Sequence, residues 1–326
     1  MILSRTPFRI SFCGGGTDLP GFYRKFGGAV LSSSIARYMF IAVNAKFDGN
    51  IRVSYSRTEN VSSVEAISHP IIRETMLELG VGAGVEVVSI ADIPGKGTGL
   101  GSSSAFTVGL VRALSAYQSS EISTEEVAKK ACFIEMERCN SPIGKQDAYA
   151  SCFGGLNYIE FKPDESVLVE SINLSPKTFT TLNDNLMIFY TGIQRNADSI
   201  LADQQARLEN DDEKIATMKQ MCSLAKTMRD CLVQDELSSF GQLLHSNWLL
   251  KRSLSPMISN GQIDDWYNKG REAGALGGKL LGAGAGGFLL FYAEKEVHRD
   301  IERSLPELRR VDLQLEKSGS QITYRS

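Results

Sequence analysis

Hydrophobic and polar residues alternate along several short stretches of this 326-residue chain, and a period of two residues is typical of half-buried β-strands. Most of these stretches lie in the first half of the chain and end at glycine-rich turns. The second stretch is expected to form a hairpin with the third, because Asp48, Gly49 and Asn50 between them are typical turn residues. The strands predicted in this half cover residues 3–13, 29–47, 51–55, 85–90 and 156–161.

Other stretches have the periodicity and the end signals of helices. The segment 121–138 has Ser123 or Thr124 as its N-cap and Glu126 in its first turn, an arrangement typical of a capping box. A proline and a glycine then break the helix and leave Asp147 on a loop or at the start of a short helix. The predicted helices cover residues 69–79, 106–117, 121–138 and three pieces between 196 and 254.

Strands and helices mix along the chain without a strict βαβ alternation. This pattern predicts an α+β fold rather than a doubly wound parallel sheet. After about Pro163 helical patterns dominate, and short strands return only within 276–292 and 311–325. We therefore place a domain boundary near residue 175, which divides the chain into residues 1–175 and 176–326.

Composition and charge exclude several classes of function. The formal net charge is -3, and no basic run is interleaved with aromatic residues, so nucleic acid is not expected as a partner. No apolar stretch reaches membrane-spanning length, and the first nine residues do not resemble a signal peptide, so we expect a soluble, cytoplasmic protein without a membrane partner. Six scattered cysteines and three separated histidines indicate reduced thiols rather than a zinc site or disulfides. A monomer and a homodimer both remain open.

A glycine-rich segment between the strand 85–90 and the helix 106–117 is the strongest candidate for chemistry. Its four glycines allow backbone N–H groups to approach a ligand, and the start of a helix attracts an anion. Three consecutive serines then offer hydroxyls to a phosphate-bound metal ion, which favours a phosphate cradle over a simple helix entry. The residues expected to bind the nucleotide are Pro94, Gly95, Lys96, Gly97, Thr98, Gly99, Leu100, Gly101, Ser102, Ser103 and Ser104.

Two better-known phosphate-binding motifs do not fit the sequence. A P-loop is excluded because neither Lys96 nor Lys145 is followed by serine or threonine. A G-x-G-x-x-G pattern occurs at Gly282, Gly284 and Gly287. The residues after it are strand-like, whereas a dinucleotide-binding turn opens a helix.

A phosphate loop that binds a nucleoside triphosphate also requires a carboxylate nearby. Nucleoside triphosphates carry Mg²⁺, a hard cation that prefers at least one carboxylate ligand. Glu135 and Glu137 are candidates for that ligand, although acidic residues on helices are more often solvated. Asp147, on the segment that follows, could accept a proton from an attacking hydroxyl.

Taken together, three motifs resemble those of the GHMP kinases, the superfamily of galactokinase, homoserine kinase and mevalonate kinase. They lie at residues 6–18, 94–105 and 279–287 and span nearly the whole chain. The resemblance implies an ATP-dependent phosphotransferase with an alcohol group as acceptor. It also implies an N-terminal domain like ribosomal protein S5 domain 2 and a ferredoxin-like C-terminal domain, with the third motif as a turn that supports the site.

The resemblance also implies roles for individual residues. Asp147 corresponds to the catalytic aspartate that orients or deprotonates the acceptor hydroxyl, and Arg9 to a basic residue at the reaction centre. Ser103 and Glu135 correspond to the Mg²⁺-binding pair, with Glu137 as the alternative to Glu135. The residues expected to bind the substrate are Gly15, Gly16, Thr17, Asp18, Lys145, Arg195 and Gly284.

The first motif departs from that of the galactokinases, which carry Gly-Glu-His where this chain has Gly14, Gly15 and Gly16. The segment is similar instead to that of bacterial heptose 7-phosphate kinases of the superfamily. This implies phosphorylation of the anomeric 1-hydroxyl of a sugar 7-phosphate, a step toward nucleotide-activated heptose for surface polysaccharide. Lys145 and Arg195, with Arg37 as a weaker third, would then hold the existing phosphate.

Three other functions remain open at this point. A fucokinase- or galactokinase-like enzyme is the nearest alternative, because other anomeric sugar kinases share much of the pattern. A catalytically silent nucleotide-binding protein on the same scaffold would not need an acid and a base together. A dehydrogenase is disfavoured by the strand-like residues after Gly287.

Overall fold

The structure, a computed structural model, describes residues 1–93, 97–193, 200–203 and 211–326. In these ranges no helix is both long enough and apolar enough to cross a bilayer. The strands are β1 Ile2–Cys13, β2 Gly28–Ala45, β3 Ile51–Ser54, β4 Thr58–Val61, β5 Val85–Ala91, β6 Leu156–Phe161, β7 Val167–Ser171, β8 Leu186–Tyr190, β9 Gly277–Leu280, β10 Phe288–Tyr292, β11 Arg309–Val311 and β12 Gln321–Arg325. The α-helices are α1 Pro20–Phe26, α2 Pro70–Leu79, α3 Ser102–Tyr117, α4 Thr124–Phe133, α5 Gln146–Phe153, α6 Pro176–Asn185, α7 Asp212–Val233, α8 Leu237–Ser253, α9 Gly261–Glu272 and α10 His298–Ser304.

The first sheet is built around the long strand β2. Along its length β2 pairs with β1, while its first half also pairs with β6 and its second half with β5. The predicted hairpin between residues 29–47 and 51–55 is wrong, because β5 lies between β2 and β3. The turn residues 48–50 do reverse the chain, but they do not decide its neighbour. The buried valines of β5 take the place beside β2, with Val87 opposite Val43.

The second sheet follows a different pattern. Its strand order is β11-β8-β10-β9, and every pairing is antiparallel. Numbered along the chain this is the order 4-1-3-2, which is the ferredoxin-like arrangement. The strand after Gly287 is β10, as the sequence predicts. Of the helical pieces expected between 196 and 254, α7 and α8 are described, whereas residues 194–199 and 204–210 lie outside the described ranges.

The helix predicted over 121–138 is confirmed, with one change in its last turn. Ser123 is the N-cap, and it exchanges hydrogen bonds with Glu126 in a complete capping box. After α4 the chain widens into a π-helical turn at Ile134–Arg138. Such turns are frequent at functional sites. This one buries Glu135 and leaves Glu137 exposed.

Helix α3 connects the glycine-rich segment to the core of the first sheet. It lies against β1 and β2 and is buried along most of its length. At the start of the helix, the backbone N–H of Arg9 on β1 donates to the carbonyl of Leu100 at 3.0 Å, and the Leu100 side chain is fully buried. Leu100, at the end of the loop next to α3, is therefore anchored to the first sheet.

The last strand crosses back to the beginning of the chain. β12 pairs with the first residues of β1 and forms an edge of the first sheet. The second sheet, by contrast, is built entirely from strands between residues 186 and 311. The α+β architecture is thus confirmed, while the boundary near residue 175 stays a prediction.

Candidate active site

A cavity of about 690 Å³ is lined by all three glycine-rich segments. It brings together residues of β1, the loop after it, the start of α3, the π-helical turn, α5, α8 and β9. Three cations and three carboxylates from the described part of the chain line it: Arg9, Lys251, Lys279, Asp18, Glu135 and Asp147. Groups that are far apart in sequence therefore share one concave site, which is where binding and catalysis are expected.

The described part of the predicted phosphate loop lines this cavity. Gly97, Gly99 and Gly101 have φ values of +70°, +75° and +76°, a region that favours glycine. Helix α3 begins immediately after Gly101, and no side chain caps its first N–H groups. These features suit the binding of a phosphate. Among the predicted residues, Pro94, Gly95 and Lys96 lie outside the described ranges, and Leu100 points into the core rather than into the cavity.

The third glycine-rich segment supports this loop by direct backbone contact. A Cβ atom added at Gly282 would lie 2.4 Å from the Cα of Gly99, and one added at Gly287 would lie 2.4 Å from the carbonyl oxygen of Thr98. Side chains at these positions would separate the two loops. Gly284 lines the cavity, and its role as a substrate contact stays a prediction.

Ser103 and Glu135 form a pair at the start of α3, which we call the nucleotide end of the cavity because the predicted phosphate loop lies there. The Ser103 hydroxyl donates to Oε1 of Glu135 at 2.5 Å. Burial raises the pKa of Glu135 to about 7. Its Oε2 is buried and has no hydrogen-bond partner within the described residues. A hydroxyl beside a carboxylate with a spare buried oxygen suits a hard cation, so these residues fit Mg²⁺. Glu137 is exposed and does not line the cavity.

Arg9 and Asp147 form a two-pronged ion pair beside the loop. Nε of Arg9 donates to Oδ1 of Asp147 and Nη2 donates to Oδ2, each at 2.7 Å. The third guanidinium nitrogen, Nη1, donates to the carbonyl of Gly99 at 2.7 Å. Asp147 stands in the first turn of α5, one of the two positions that the sequence allowed. The guanidinium thus fixes the carboxylate to the phosphate loop.

The loop after β1 contributes Gly15, Gly16 and Asp18 to the cavity. Asp18 is buried and accepts hydrogen bonds from the backbone N–H groups of Gly16 and Gln146, both at 3.0 Å. Burial raises the pKa of its carboxyl group. Thr17 does not line the cavity. Its hydroxyl donates to the carbonyl of Ala29 and accepts from the N–H of the same residue, so it holds the loop in shape instead of contacting a substrate.

The cations predicted to hold a substrate phosphate do not gather in the cavity. Lys145 is buried, but its ammonium group contacts the carboxylate of Glu165 at 2.6 Å and lies over the ring of Tyr23. This position does not match a substrate contact, because the charge is already neutralised outside the cavity. Arg37 donates to two backbone carbonyls elsewhere. Arg195 lies outside the described residues.

Two other lysines line the cavity instead. Lys279 of β9 donates to the carbonyl of Ser11 at 2.7 Å, and Lys251 of α8 donates to the carbonyl of Gly15 at 3.1 Å. Burial lowers the pKa of Lys279 to about 7 and that of Lys251 to about 8. Sequence reasoning missed Lys251, although a signal existed. It follows Phe240, Leu244 and Trp248 on one helical stripe, where an apolar residue is expected.

Lys279→Met is expected to raise the free energy of unfolding at pH 6.5, with a gain that shrinks toward pH 10. In the unfolded chain the lysine has a pKa near 10.4, whereas in the folded protein the pKa is about 7. Between these two values, each pH unit of acidification lowers the free energy of unfolding by about 1.4 kcal/mol, because the unfolded chain takes up the proton and the buried amine does not. Its neighbours Lys251 and Arg9 add repulsion. The lost hydrogen bond to Ser11 offsets about 1 kcal/mol of the gain. Thermal denaturation at several pH values measures the difference.

The matched control is Lys145→Met, which also removes a buried lysine. Because Lys145 has Glu165 as its anionic partner, this variant is expected to lose stability at pH 6.5. A gain for Lys279→Met of equal size at pH 6.5 and pH 10 would contradict the prediction, since better packing and not charge would then explain it.

Comparisons with known proteins are consistent with this geometry. A D-glycero-alpha-D-manno-heptose 7-phosphate kinase of Campylobacter jejuni is 28% identical over 320 residues, which cover 93% of each chain. A bifunctional fucokinase/GDP-fucose pyrophosphorylase of Arabidopsis thaliana is 24% identical over 95% of this chain, which spans 31% of that protein. The crystal structure of a D-glycero-D-manno-heptose 1-phosphate kinase from Bacteroides thetaiotaomicron matches the whole chain with a TM-score of 0.81 and 20% identity, and supports the fold.

Two family models match the chain in the expected order. Residues 64–155 match the GHMP kinases N terminal domain, and residues 228–308 match the GHMP kinases C terminal domain. Together they cover more than half of the chain and include the start of α3, Glu135, Asp147, Lys251 and the third glycine-rich segment. The chain therefore belongs to the GHMP kinases and is an ATP-dependent phosphotransferase.

Proposed function

We propose that this kinase transfers the γ-phosphoryl group of ATP to the anomeric 1-hydroxyl of D-glycero-D-manno-heptose 7-phosphate and so produces the 1,7-bisphosphate. The observation that carries the proposal is the position of the Arg9–Asp147 pair. The pair is hydrogen-bonded to Gly99 of the predicted phosphate loop, and the same cavity is lined by Gly15, Gly16 and two lysines. The similarity to the Campylobacter jejuni heptose 7-phosphate kinase supports the choice of acceptor.

On the nucleotide side, the loop N–H groups and the start of α3 would cradle the phosphates. Ser103 and Glu135 would hold Mg²⁺, through the hydroxyl and the carboxylate described above. When bound, the metal ion supplies positive charge that offsets the charge on the phosphates. Because Glu135 has a raised pKa in a buried site, it would release its proton as the cation binds.

At the reaction centre, Asp147 would accept the hydrogen bond of the 1-hydroxyl and take its proton as the oxygen–phosphorus bond forms and ADP leaves. Arg9 would hold Asp147 in place and stabilise negative charge that develops on the transferred group. Gln146 also donates to Asp147 Oδ1 at 3.1 Å, which further restricts the carboxylate. Positioning and charge neutralisation are the main requirements of a loose phosphoryl-transfer transition state.

On the acceptor side, Asp18 would accept hydrogen bonds from sugar hydroxyls. The galactokinase-type glutamate and histidine are replaced by Gly15 and Gly16, which leaves space and removes negative charge. A larger, anionic acceptor suits this pocket better than a neutral hexose. The cytoplasmic location and the oligomeric state stay predictions.

A fucokinase-like activity is the second candidate, because the similarity to the plant fucokinase extends over 95% of the chain. It differs from the first proposal in the charge of the acceptor, since fucose carries no phosphate. A silent nucleotide-binding protein is disfavoured, because it would have no need of the aligned Arg9, Asp147, Ser103 and Glu135.

The substrate prediction is tested by measuring ADP release with ATP, Mg²⁺ and a set of sugars. Heptose 7-phosphate is expected to have a kcat/KM about 100-fold or more above those of free heptose, galactose and fucose. This corresponds to one or two charge-assisted hydrogen bonds to the phosphate. Comparable kcat/KM values for phosphorylated and free sugars would reject the heptose phosphate and leave the kinase activity in place.

Asp147→Asn is expected to lower kcat by about 10²- to 10⁴-fold, because the amide cannot take the proton of the acceptor. ATP affinity should change little, since the hydrogen bonds of Asp147 link it to the loop through Arg9. Turnover and nucleotide binding are measured separately, by ADP release and by calorimetry with a non-hydrolysable ATP analogue. Activity within a few-fold of the parent would assign the proton-accepting role to another group.

Gly101→Val is expected to weaken ATP binding by at least about tenfold. A Cβ atom at Gly101 would lie 3.1 Å from Cγ of Arg9 and 3.3 Å from Oδ2 of Asp147, and the two methyl groups of valine would fill the space of a phosphate. The matched control is Gly80→Val, because Gly80 also has a left-handed φ, of +65°, but no atom lies within 4 Å of its added Cβ. Both variants place a valine in the left-handed conformation, which costs about 1–2 kcal/mol in backbone strain. Equal ATP affinities in a folded Gly101→Val and the parent would show that the cradle lies elsewhere.

A further inference from the structure

The charges in the cavity are unevenly distributed. At the nucleotide end Glu135 is the carboxylate that lines the wall, and at the centre Arg9 and Asp147 neutralise each other. Beyond this pair lie Lys251 and Lys279. Among the described residues, Asp18 is the carboxylate whose negative charge attracts the ammonium group of Lys251. The ammonium group of Lys279 instead donates a hydrogen bond to a neutral carbonyl. Of the described residues that line the cavity beyond the pair, two are thus lysines and one is an aspartate.

Two strands show on which side of the reaction centre Lys279 lies. The backbone of Leu281 and Gly282 contacts Gly99 of the phosphate loop, and Lys279 precedes Leu281 by two residues in the direction away from the loop. On β1, likewise, Arg9 reaches Gly99, and Ser11 follows two residues further on. Two residues of a strand span about 6.6 Å. Lys279, which donates to Ser11, thus lies beyond Arg9, on the side opposite to the nucleotide loop.

Lys251 lies in the same region. Its ammonium group donates to the carbonyl of Gly15, which follows Ser11 on the loop after β1. The charge of Lys251 contributes to the lowered pKa of Lys279, so the two ammonium groups interact. Two ammonium groups at one place in a cavity suit the binding of an anion, which can accept hydrogen bonds from both.

We infer that Lys279 and Lys251 together bind the phosphate group that the acceptor already carries. The inference rests on the proposed function, since it requires an acceptor that is a sugar phosphate. The separation along β1 suits an acceptor with its reacting hydroxyl at Asp147 and its phosphate at the far end of the sugar. An ammonium group offers three donors, and Lys279 directs one of them to Ser11. Lys145, whose charge is matched by Glu165, takes no part.

The kinetic test compares Lys279→Met and Lys251→Met with the control Lys145→Met, using heptose 7-phosphate and ATP. Each cavity variant is expected to raise KM for heptose 7-phosphate by about 10- to 100-fold, the effect of losing a hydrogen bond to a charged group. KM for ATP should change less than about threefold, and the control should leave both KM values within that range. A larger effect on KM for ATP than on KM for the sugar phosphate would overturn the inference.

Lys279→Gln separates a binding role from a structural one. The glutamine amide can still donate to the Ser11 carbonyl, but it carries no charge. If Lys279 only holds β1 in place, the glutamine variant keeps the parent's KM for heptose 7-phosphate, and the inference is rejected. If the charge binds phosphate, glutamine raises this KM as methionine does.

A binding test without any sugar distinguishes failure of this inference from failure of the proposed function. The nucleotide site is filled with Mg²⁺ and a non-hydrolysable ATP analogue, and the melting temperature is followed as inorganic phosphate is added. The melting temperatures of the parent and of Lys145→Met are expected to rise as phosphate is added. For Lys279→Met and Lys251→Met, the apparent affinity for phosphate derived from this rise is expected to be at least about tenfold lower than for the parent. If the parent prefers neutral sugars, the proposed function fails, and phosphate binding still decides whether the lysines form an anion site. Equal phosphate responses in all variants reject the site.

Discussion

The direct contact between two glycine-rich loops is the constraint on which the rest of the site depends. One loop precedes α3 and belongs to the first sheet, and the other joins β9 to β10 in the second. Their backbones meet at Gly99 and Gly282, where even a methyl group would not fit. Because the two backbones touch there, the two loops support each other where they border the cavity, and a side chain at either position would push them apart.

Within that cavity, the charged groups differ in how they are compensated. Asp147 has both oxygens paired with one guanidinium, Glu135 has one oxygen paired and one without a partner, and Lys279 contacts a carbonyl dipole. Burial without full compensation shifts the pKa of Glu135 and of Lys279 to about 7 from opposite directions. Such shifts are typical of groups that await a ligand of opposite charge. The two ends of the cavity therefore differ in the sign of the charge that is least compensated, a carboxylate oxygen at Glu135 and an ammonium group at Lys279.

The sequence predicted what local patterns determine. The strands, the capping box at Ser123 and the glycine loop follow from periodicity and from residue types a few positions apart. The hairpin of residues 51–55 was wrong because a turn signal reverses the chain without choosing its neighbour, and β5 is more than 30 residues away. Lys145 was expected in the site because the sequence does not show that Glu165 pairs with it. Lys251 was missed because a helical pattern shows which face is buried but not that this face borders a cavity.

The pairing of β12 with β1 makes the order of synthesis relevant to folding. Thr323 and Leu3 are in contact although they are 320 positions apart in sequence. While the chain emerges from the ribosome, the first sheet has an open edge along the early residues of β1, and exposed edges favour association with other chains. The strand that covers this edge is made after the whole second sheet. The first sheet therefore gains its last strand only after the ferredoxin-like part has been synthesised.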